Sequence, residues 1–229
     1  MPGWRTLSLG SGLAMAVMIS ACQAISPDTS AIPPGQSESE TTDVAQSVPV
    51  GVNQVAPDFT GVDSNGVPRK LSEFKGKTVV LEWTNHQCPF TGKHYTSGNM
   101  QRLQAEATDQ GIVWLSIISS APGQQGHVTA EEANQLTTSR DASPTAVILD
   151  PEGEIGRLYS ARTTPHMYVI DPQGDLRYMG GIDNIPSADP TDVAGATNYV
   201  QAALTSLGSE LAVDPAVTQP YGCSIKYSL

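Results

Sequence analysis

The sequence is poor in cationic residues, poor in cysteine and without an apolar run long enough to cross a bilayer. Lys and Arg number 12 against 23 Asp and Glu, a formal net charge of -11, and no basic run could neutralise successive phosphates. Nucleic acid is therefore not an expected partner. An anionic lipid surface is disfavoured for the same reason, unless a covalent lipid supplies the attachment. The apolar stretch Leu7 to Ile19 carries Ser and Gly interruptions and falls short of the roughly 20 residues a spanning helix needs. The three cysteines are few enough to weigh singly. A chain of 229 residues favours one hydrophobic core with targeting and tail segments.

What is present begins with Met1-Pro2-Gly3-Trp4-Arg5 and the Leu7–Ile19 run, which reads as the apolar part of an export signal. Ile19-Ser20-Ala21-Cys22 follows and resembles the bacterial lipoprotein signal, in which cleavage before the cysteine exposes it for diacylglycerol attachment. This resemblance implies a signal peptide over 1–21, a lipid on Cys22, and a place on the periplasmic side of the cell envelope with membrane contact through that lipid only. An ordinary secretory signal cut near Ala24 is the alternative. Residues 22–52, with Pro27, Pro33, Pro34, Gly35 and alternating Ser and Glu through Glu40, lack the side chains to offset backbone ordering and read as a flexible tether.

The folded domain is expected over 53–208, opening with an extended Val55–Phe59 and a turn at Asp63-Ser64-Asn65-Gly66. Leu71–Phe74 reads as one helical turn capped by Ser72. Thr78–Trp83 and Gly111–Ile118 are apolar and β-branched, the pattern of buried central strands. Between them a helix is expected from Pro89 to about Ala107, since proline is tolerated at the first helical position. Thr129-Ala130-Glu131-Glu132 is an approximate capping box that starts a helix ending near Ser139. A strand at Val147–Leu149, a helix over Ile155–Tyr159, a hairpin of Met167–Ile170 with Leu176–Met179, and a helix over Asp192–Leu207 complete an α/β sandwich with a central mixed sheet. Residues 209–229 form a tail that carries Cys223.

Cys88 falls where a strand turns into a helix. There the unpaired amides and the positive end of the helix favour thiolate over thiol, so Cys88 is the expected nucleophile. An inert core cysteine is the bland reading, and the flanking His86, Gln87 and Pro89 speak against it.

The segment Val79 to Thr91, VVLEWTNHQCPFT, resembles the active-site segment of the thioredoxin superfamily. Cys88 matches the nucleophilic cysteine, Glu82 the buried acid beneath it, and Thr91 the second cysteine of the Cys-x-x-Cys motif. Arg162 through Asp171, RTTPHMYVID, is similar to the segment whose cis Thr-Pro bond, here Thr164-Pro165, lies against that cysteine. The likeness spans about residues 53 to 207. It is nearest to the exported redoxin branch that includes alkyl-hydroperoxide-reductase and thiol-specific-antioxidant proteins. Peroxiredoxins place Thr or Ser three residues before the reactive cysteine; here that residue is Asn85, with Thr84 one step earlier.

The resemblance implies a thiol oxidoreductase in which Cys88 attacks a disulfide or a hydroperoxide without an organic cofactor. Its partners would be a thiol-containing reductant or client protein, or a small hydroperoxide. Thr91 cannot form a disulfide, so Cys223 is the thiol left to resolve the intermediate once Cys22 is assigned to lipid. A structural Cys88–Cys223 disulfide is the rival, because closing so long a loop would constrain the unfolded chain by about 5 kcal/mol in the entropy model. Glu82 could exchange a proton with Cys88 through water. His86 and His94 could assist proton transfer or be polar filler, and Arg162 could face the thiolate or solvent. The reading from another class is metal binding or copper delivery by Cys88, His86, His94 and His166.

Overall fold

The computed structural model describes residues 50–228; the signal, Cys22 and most of the tether expected over 1–49 lie outside the described residues. An opening hairpin pairs β1 (Thr60–Asp63) with β2 (Pro68–Lys70). Its turn is closed by the Asp63 carboxylate, which accepts from the amides of Asn65 and Val67 at 2.9 Å each. Then come β3 (Val79–Trp83), α1 (Pro89–Thr96), α2 (Asn99–Asp109), β4 (Val113–Ile118), α3 (Ala130–Ser139), β5 (Ala146–Leu149) and α4 (Glu154–Leu158). The last elements are β6 (Thr163–Thr164), β7 (His166–Ile170), β8 (Leu176–Gly180), α5 (Tyr199–Gly208) and β9 (Cys223–Ser224).

Seven strands make one sheet in the order β2-β1-β5-β4-β3-β7-β8, and β6 with β9 makes a separate two-stranded ladder. The central strands β3, β4 and β5 are parallel while β7, β8, β1 and β2 are antiparallel, so the sheet is mixed. All five residues of β3 are buried, and their alternation divides the core. Leu81 and Trp83 pack on one face with Phe59, Leu115, Ile155, Tyr159 and Tyr168. Val80 packs on the other with Met100, Leu103, Trp114, Val200 and Ala203. Each large side chain so enclosed contributes about 1.5–3 kcal/mol. The fold is the thioredoxin-like α/β sandwich that the sequence implies, with helices on both faces.

Several boundaries differ from expectation. The helix expected over Pro89–Ala107 is two, because the chain turns left-handed at Gly98 (φ 74°) between α1 and α2. The helix expected over Asp192–Leu207 starts late: Pro190–Gly195 is a 3₁₀ turn, Ala196 is extended, and α5 begins only where the Asn198 side chain accepts from the Gln201 amide. The turn at Leu71–Phe74 is 3₁₀, and its cap residue is Lys70 rather than Ser72. The strands β1 and β2 flanking the expected Asp63–Gly66 turn, β6, and the β9 strand of the tail were not anticipated.

Candidate functional site

Cys88 is the N-cap of α1, with Pro89 at the first helical position. The turn that delivers it is built by Asn85, whose side-chain oxygen accepts from the Gln87 amide (2.8 Å) and whose carbonyl accepts from the Cys88 amide (3.1 Å). Gln87 in turn accepts from the Gly126 amide at 3.1 Å. Gly126 has φ +90°, and a Cβ there would run into the Asn85 side chain. The loop after β4 thus seats the turn by a glycine-only approach.

The cysteine so placed is only 1% exposed. Its sulfur lies 3.0 Å from the Thr164 carbonyl oxygen, to which the thiol donates. The Thr164-Pro165 bond is cis, and both residues are buried. Opposite Thr164 on the β6–β9 ladder stands Cys223, so three residues expected to act together do meet. Neither cysteine is in a disulfide. Cys223 is held from both sides. Downstream, the Ile225 amide donates to the Arg162 carbonyl (3.0 Å), Ile225 enters the core, and the Tyr227 hydroxyl donates to the Ala161 carbonyl (2.8 Å). Upstream, Tyr221 sits against α1, its ring edge-on to Phe90 at 5.9 Å. The tail therefore need not travel to reach the helix start.

The two thiols are electrostatically unequal. Burial pushes the Cys88 thiol up, but hydrogen bonding from Cys223, from the Thr91 amide and from Thr164 outweighs it and leaves Cys88 below its ordinary value. The Thr91 amide acts at a distance, because the sulfur makes no full capping hydrogen bond. The carbonyl of Thr164 favours the protonated form and works against this lowering. Burial and then the nearby Cys88 push Cys223 up to about 11. A single negative charge shared by this pair rests on Cys88.

Glu82 is fully buried on β3, accepting from Trp114 Nε1 (2.8 Å), Ser116 Oγ (2.9 Å), Gln104 Nε2 (3.1 Å) and the Tyr95 hydroxyl (3.3 Å). Burial holds its carboxyl above the usual range despite these donors. None of those four bonds leads to Cys88. Thr91 is buried, and its hydroxyl has no partner among the described residues. His86 is half-buried; it borders a cleft of about 440 Å³ shared with Gln87, His127 and Glu132. Burial, then the Arg140 charge, lower its basicity. Arg162 is exposed. His166 is buried beside Tyr168 and accepts from the Arg162 amide at 3.3 Å. The structure does not bring His86, His94 and His166 together around Cys88, and among the described residues no group of three or more His, Cys, Asp or Glu could hold a metal ion.

Sequence reasoning missed a buried ionic cluster behind α1. Lys93 and Asp183 have side chains 0% and 2% exposed and lie 3.1 Å apart, Nζ to Oδ2. That oxygen accepts no aligned hydrogen bond, so the ammonium is what meets its charge. Lys93 also donates to the Ile185 carbonyl at 2.7 Å. The Tyr221 hydroxyl donates to Asp183 Oδ1, and His94 Nε2 lies 3.3 Å from the same hydroxyl. His94 Nδ1 faces the Asn99 amide at 2.9 Å, which makes the ring neutral with its proton on Nε2. A lysine within an eight-residue amphiphilic stretch reads as a solvent-facing charge, so nothing local announced this pair.

Residues 52–179 match the model of the AhpC/TSA family. A probable phospholipid hydroperoxide glutathione peroxidase of Solanum lycopersicum is 31% identical over 83 residues, 36% of this chain and 48% of the relative. The thiol-disulfide oxidoreductase ResA of Bacillus subtilis is 25% identical over 123 residues, 49% of this chain and 69% of the relative. The chain thus spans about half the length of the plant relative. An uncharacterised conserved protein of Geobacillus kaustophilus shares the fold, with a TM-score of 0.67 at 23% identity over 78% of this chain and 93% of that one.

Proposed function

The chain belongs to the AhpC/TSA family, and we propose that it is a thiol oxidoreductase in which the Cys88 thiolate is the nucleophile and Cys223 the resolving thiol. The observation that carries this reading is the seating of Cys223 opposite Thr164, whose carbonyl touches the Cys88 sulfur. Thr91 fills the second-cysteine position with a group that cannot form a disulfide, and the tail supplies the missing thiol. Thr164 and Pro165 shape the contact surface, His86 lines the approach, and Glu82 fixes β3 beneath the turn.

With a hydroperoxide, the Cys88 thiolate attacks the terminal oxygen, the O–O bond breaks, and the departing alkoxide takes a proton to leave as an alcohol. Cys88 becomes a sulfenic acid. Cys223 then attacks that sulfur, its proton leaves with the hydroxyl as water, and the disulfide forms. Loss of the negative charge on Cys88 removes part of what holds the proton on Cys223, so the second thiol is released for attack only after the first has reacted. Two thiols of a reductant restore the dithiol and leave as a disulfide. A small hydroperoxide is the favoured oxidant because Cys88 is 1% exposed and its own chain occupies the Thr164 edge. A small disulfide is the second reading, favoured by the likeness to ResA. There Cys88 forms a mixed disulfide, expelling one thiolate, and Cys223 expels the other. An exported, lipid-anchored location at Cys22 completes the proposal.

The test is to react the reduced full chain with hydrogen peroxide and, separately, with a small disulfide, and to map the products. The expected result is loss of both thiols with a Cys88–Cys223 linked peptide. Cys88→Ser abolishes the fast reaction, whereas Cys223→Ser leaves the first step intact and accumulates sulfenic acid or mixed disulfide. If Cys223→Ser turns over at the wild-type rate with a thiol donor, internal resolution is wrong.

A further inference from the structure

Cys223 is a cysteine on a tail, yet it is presented to a helix start at fixed register. The β6–β9 ladder is only two residues long and has little strength of its own, so its register rests on the anchors at either side: Ile225 and Tyr227 downstream, and Tyr221 upstream. Tyr221 is two residues before Cys223. It docks on the face of α1 formed by Phe90, Lys93 and His94, the i, i+3, i+4 neighbours of one helix. Cys88 caps that same helix.

The docking site is built around a charge that has left water. The Lys93 ammonium is held by Asp183 and by the Ile185 carbonyl and lies 5.6 Å from the centre of the Tyr221 ring. The Tyr221 hydroxyl both donates to Asp183 and faces the Nε2 proton of His94. Ile185 adds its own amide to Asp183 Oδ1 at 2.9 Å. One phenol thus ties the tail to the reactive helix and to the loop after β8, and a charge-assisted hydrogen bond at its centre is stronger than a neutral one. Gly222 follows at φ +135°, where the chain passes so close under the Thr164 carbonyl that a Cβ there would collide with it. Two residues therefore convert a fixed phenol into a fixed thiol.

We propose that Tyr221 is a positioning residue for the resolving step: its hydroxyl, seated in the Lys93–Asp183–His94 cluster, holds Cys223 against Cys88. This rests on the resolving role of Cys223 proposed above. Tyr221 touches neither sulfur nor oxidant. It acts through the effective concentration of Cys223 at Cys88, so it governs disulfide closure far more than the first oxidation.

The test uses the full chain with Tyr221→Phe, which keeps the ring against Phe90 and Lys93 and leaves Asp183 its bonds to Lys93 and Ile185. Single-turnover oxidation by hydrogen peroxide is followed by two readouts, Cys88 sulfenic acid trapped with dimedone and disulfide closure by peptide mapping. The expected result is closure slowed about tenfold or more, with Cys88 oxidation changed far less than closure, and a matching fall in the equilibrium constant for the internal disulfide against glutathione. Tyr221→Leu should slow closure further. A Tyr221→Phe protein that closes at the wild-type rate overturns the proposal even if its Tm falls, because a merely structural role would move Tm alone. If the wild-type chain forms no Cys88–Cys223 disulfide, the resolving role itself fails; if it closes normally and the variant does too, only the positioning role is lost.

Discussion

Thr164 and Cys223 face each other as register partners across the two-residue β6–β9 ladder. Because the Thr164 carbonyl also meets the Cys88 sulfur, this one cross-strand pair brings the two thiols to one place.

Gly222→Ala tests that relation from the backbone. The added Cβ collides with the Thr164 carbonyl, and φ +135° is a conformation that alanine rarely adopts. The tail should lift from β6, so Cys88 should alkylate with a bulky maleimide at least severalfold faster than in the wild type. Disulfide closure should slow alongside. Unchanged labelling would mean that the ladder does not cover Cys88.

The unequal thiols predict a pH profile. Alkylation of Cys88 by iodoacetamide should show a midpoint below that of an ordinary cysteine thiol, and the second thiol should titrate near 11. Cys223→Ala deletes a donor to the Cys88 sulfur, and the Cys88 midpoint should then rise. A midpoint that stays in place on removing Cys223 would detach the two sulfurs.

Buried histidines make acid stability asymmetric. Burial, then Lys93, lowers His94 to about 4 against the opposing pull of Asp183, and burial with Arg162 lowers His166 to about 3. Each folded value lies below the unfolded one, so the unfolded chain binds protons first. Stability is then full above about pH 6.5 and is lost as pH falls through 4 and 3. Glu82 has the opposite sign: its folded value is raised, so its contribution is full below the unfolded value and declines as pH rises through the folded one. Urea midpoints measured from pH 7 to 4 should fall for the wild type and fall less for His94→Gln.

Breaking the buried ion pair should be costly from one side and cheaper from both. Lys93→Met strands the Asp183 carboxylate at 2% exposure and should cost about 3–5 kcal/mol. Adding Asp183→Asn removes the stranded charge and should recover part of that loss. A double-mutant cycle in urea reads the coupling.

Glu82→Gln replaces an acceptor of four hydrogen bonds with an amide whose NH₂ must face donors. It should lose about 1–3 kcal/mol of stability and leave the Cys88 alkylation midpoint in place, because no bond connects the two groups. A shifted midpoint would establish the proton link that the sequence suggests and the four observed bonds do not supply.

What was legible in the sequence was what neighbours in the chain decide. The apolar Val79–Trp83 run, the Cys88-Pro89 helix start and the Thr129–Glu132 capping box each carry their own reason, and each is found, the capping box with both reciprocal bonds. The meeting of Cys88 with Thr164-Pro165 was inferred from a resemblance to known sequences, and Cys223 was assigned as the remaining thiol; the geometry is consistent with both. The reading failed where distant partners decide. Tyr221 bonds to residues more than a hundred positions away, and Cys223–Ser224 is a strand only because β6 offers it an edge. Lys93 on an open helix would be an ordinary solvated charge; it is enclosed only because Asp183 and the tail arrive over it. Gly98 was visible as a weak point, but its left-handed conformation, and so the break, depends on α2 finding its own place beneath the sheet.

The enclosure of Cys88 has a consequence for selectivity that can be stated as an equilibrium. A reagent small enough to pass Thr164 and Cys223 meets the closed protein. A polypeptide meets the sulfur only in the fraction of molecules whose tail has locally unfolded. Its rate is the intrinsic rate multiplied by that fraction. Amide hydrogen exchange at Ile225, whose N–H donates to the Arg162 carbonyl, reads the same opening. Exchange protection at that amide and resistance of Cys88 to bulky reagents should therefore rise and fall together, with discrimination by size set by the free energy of undocking the tail.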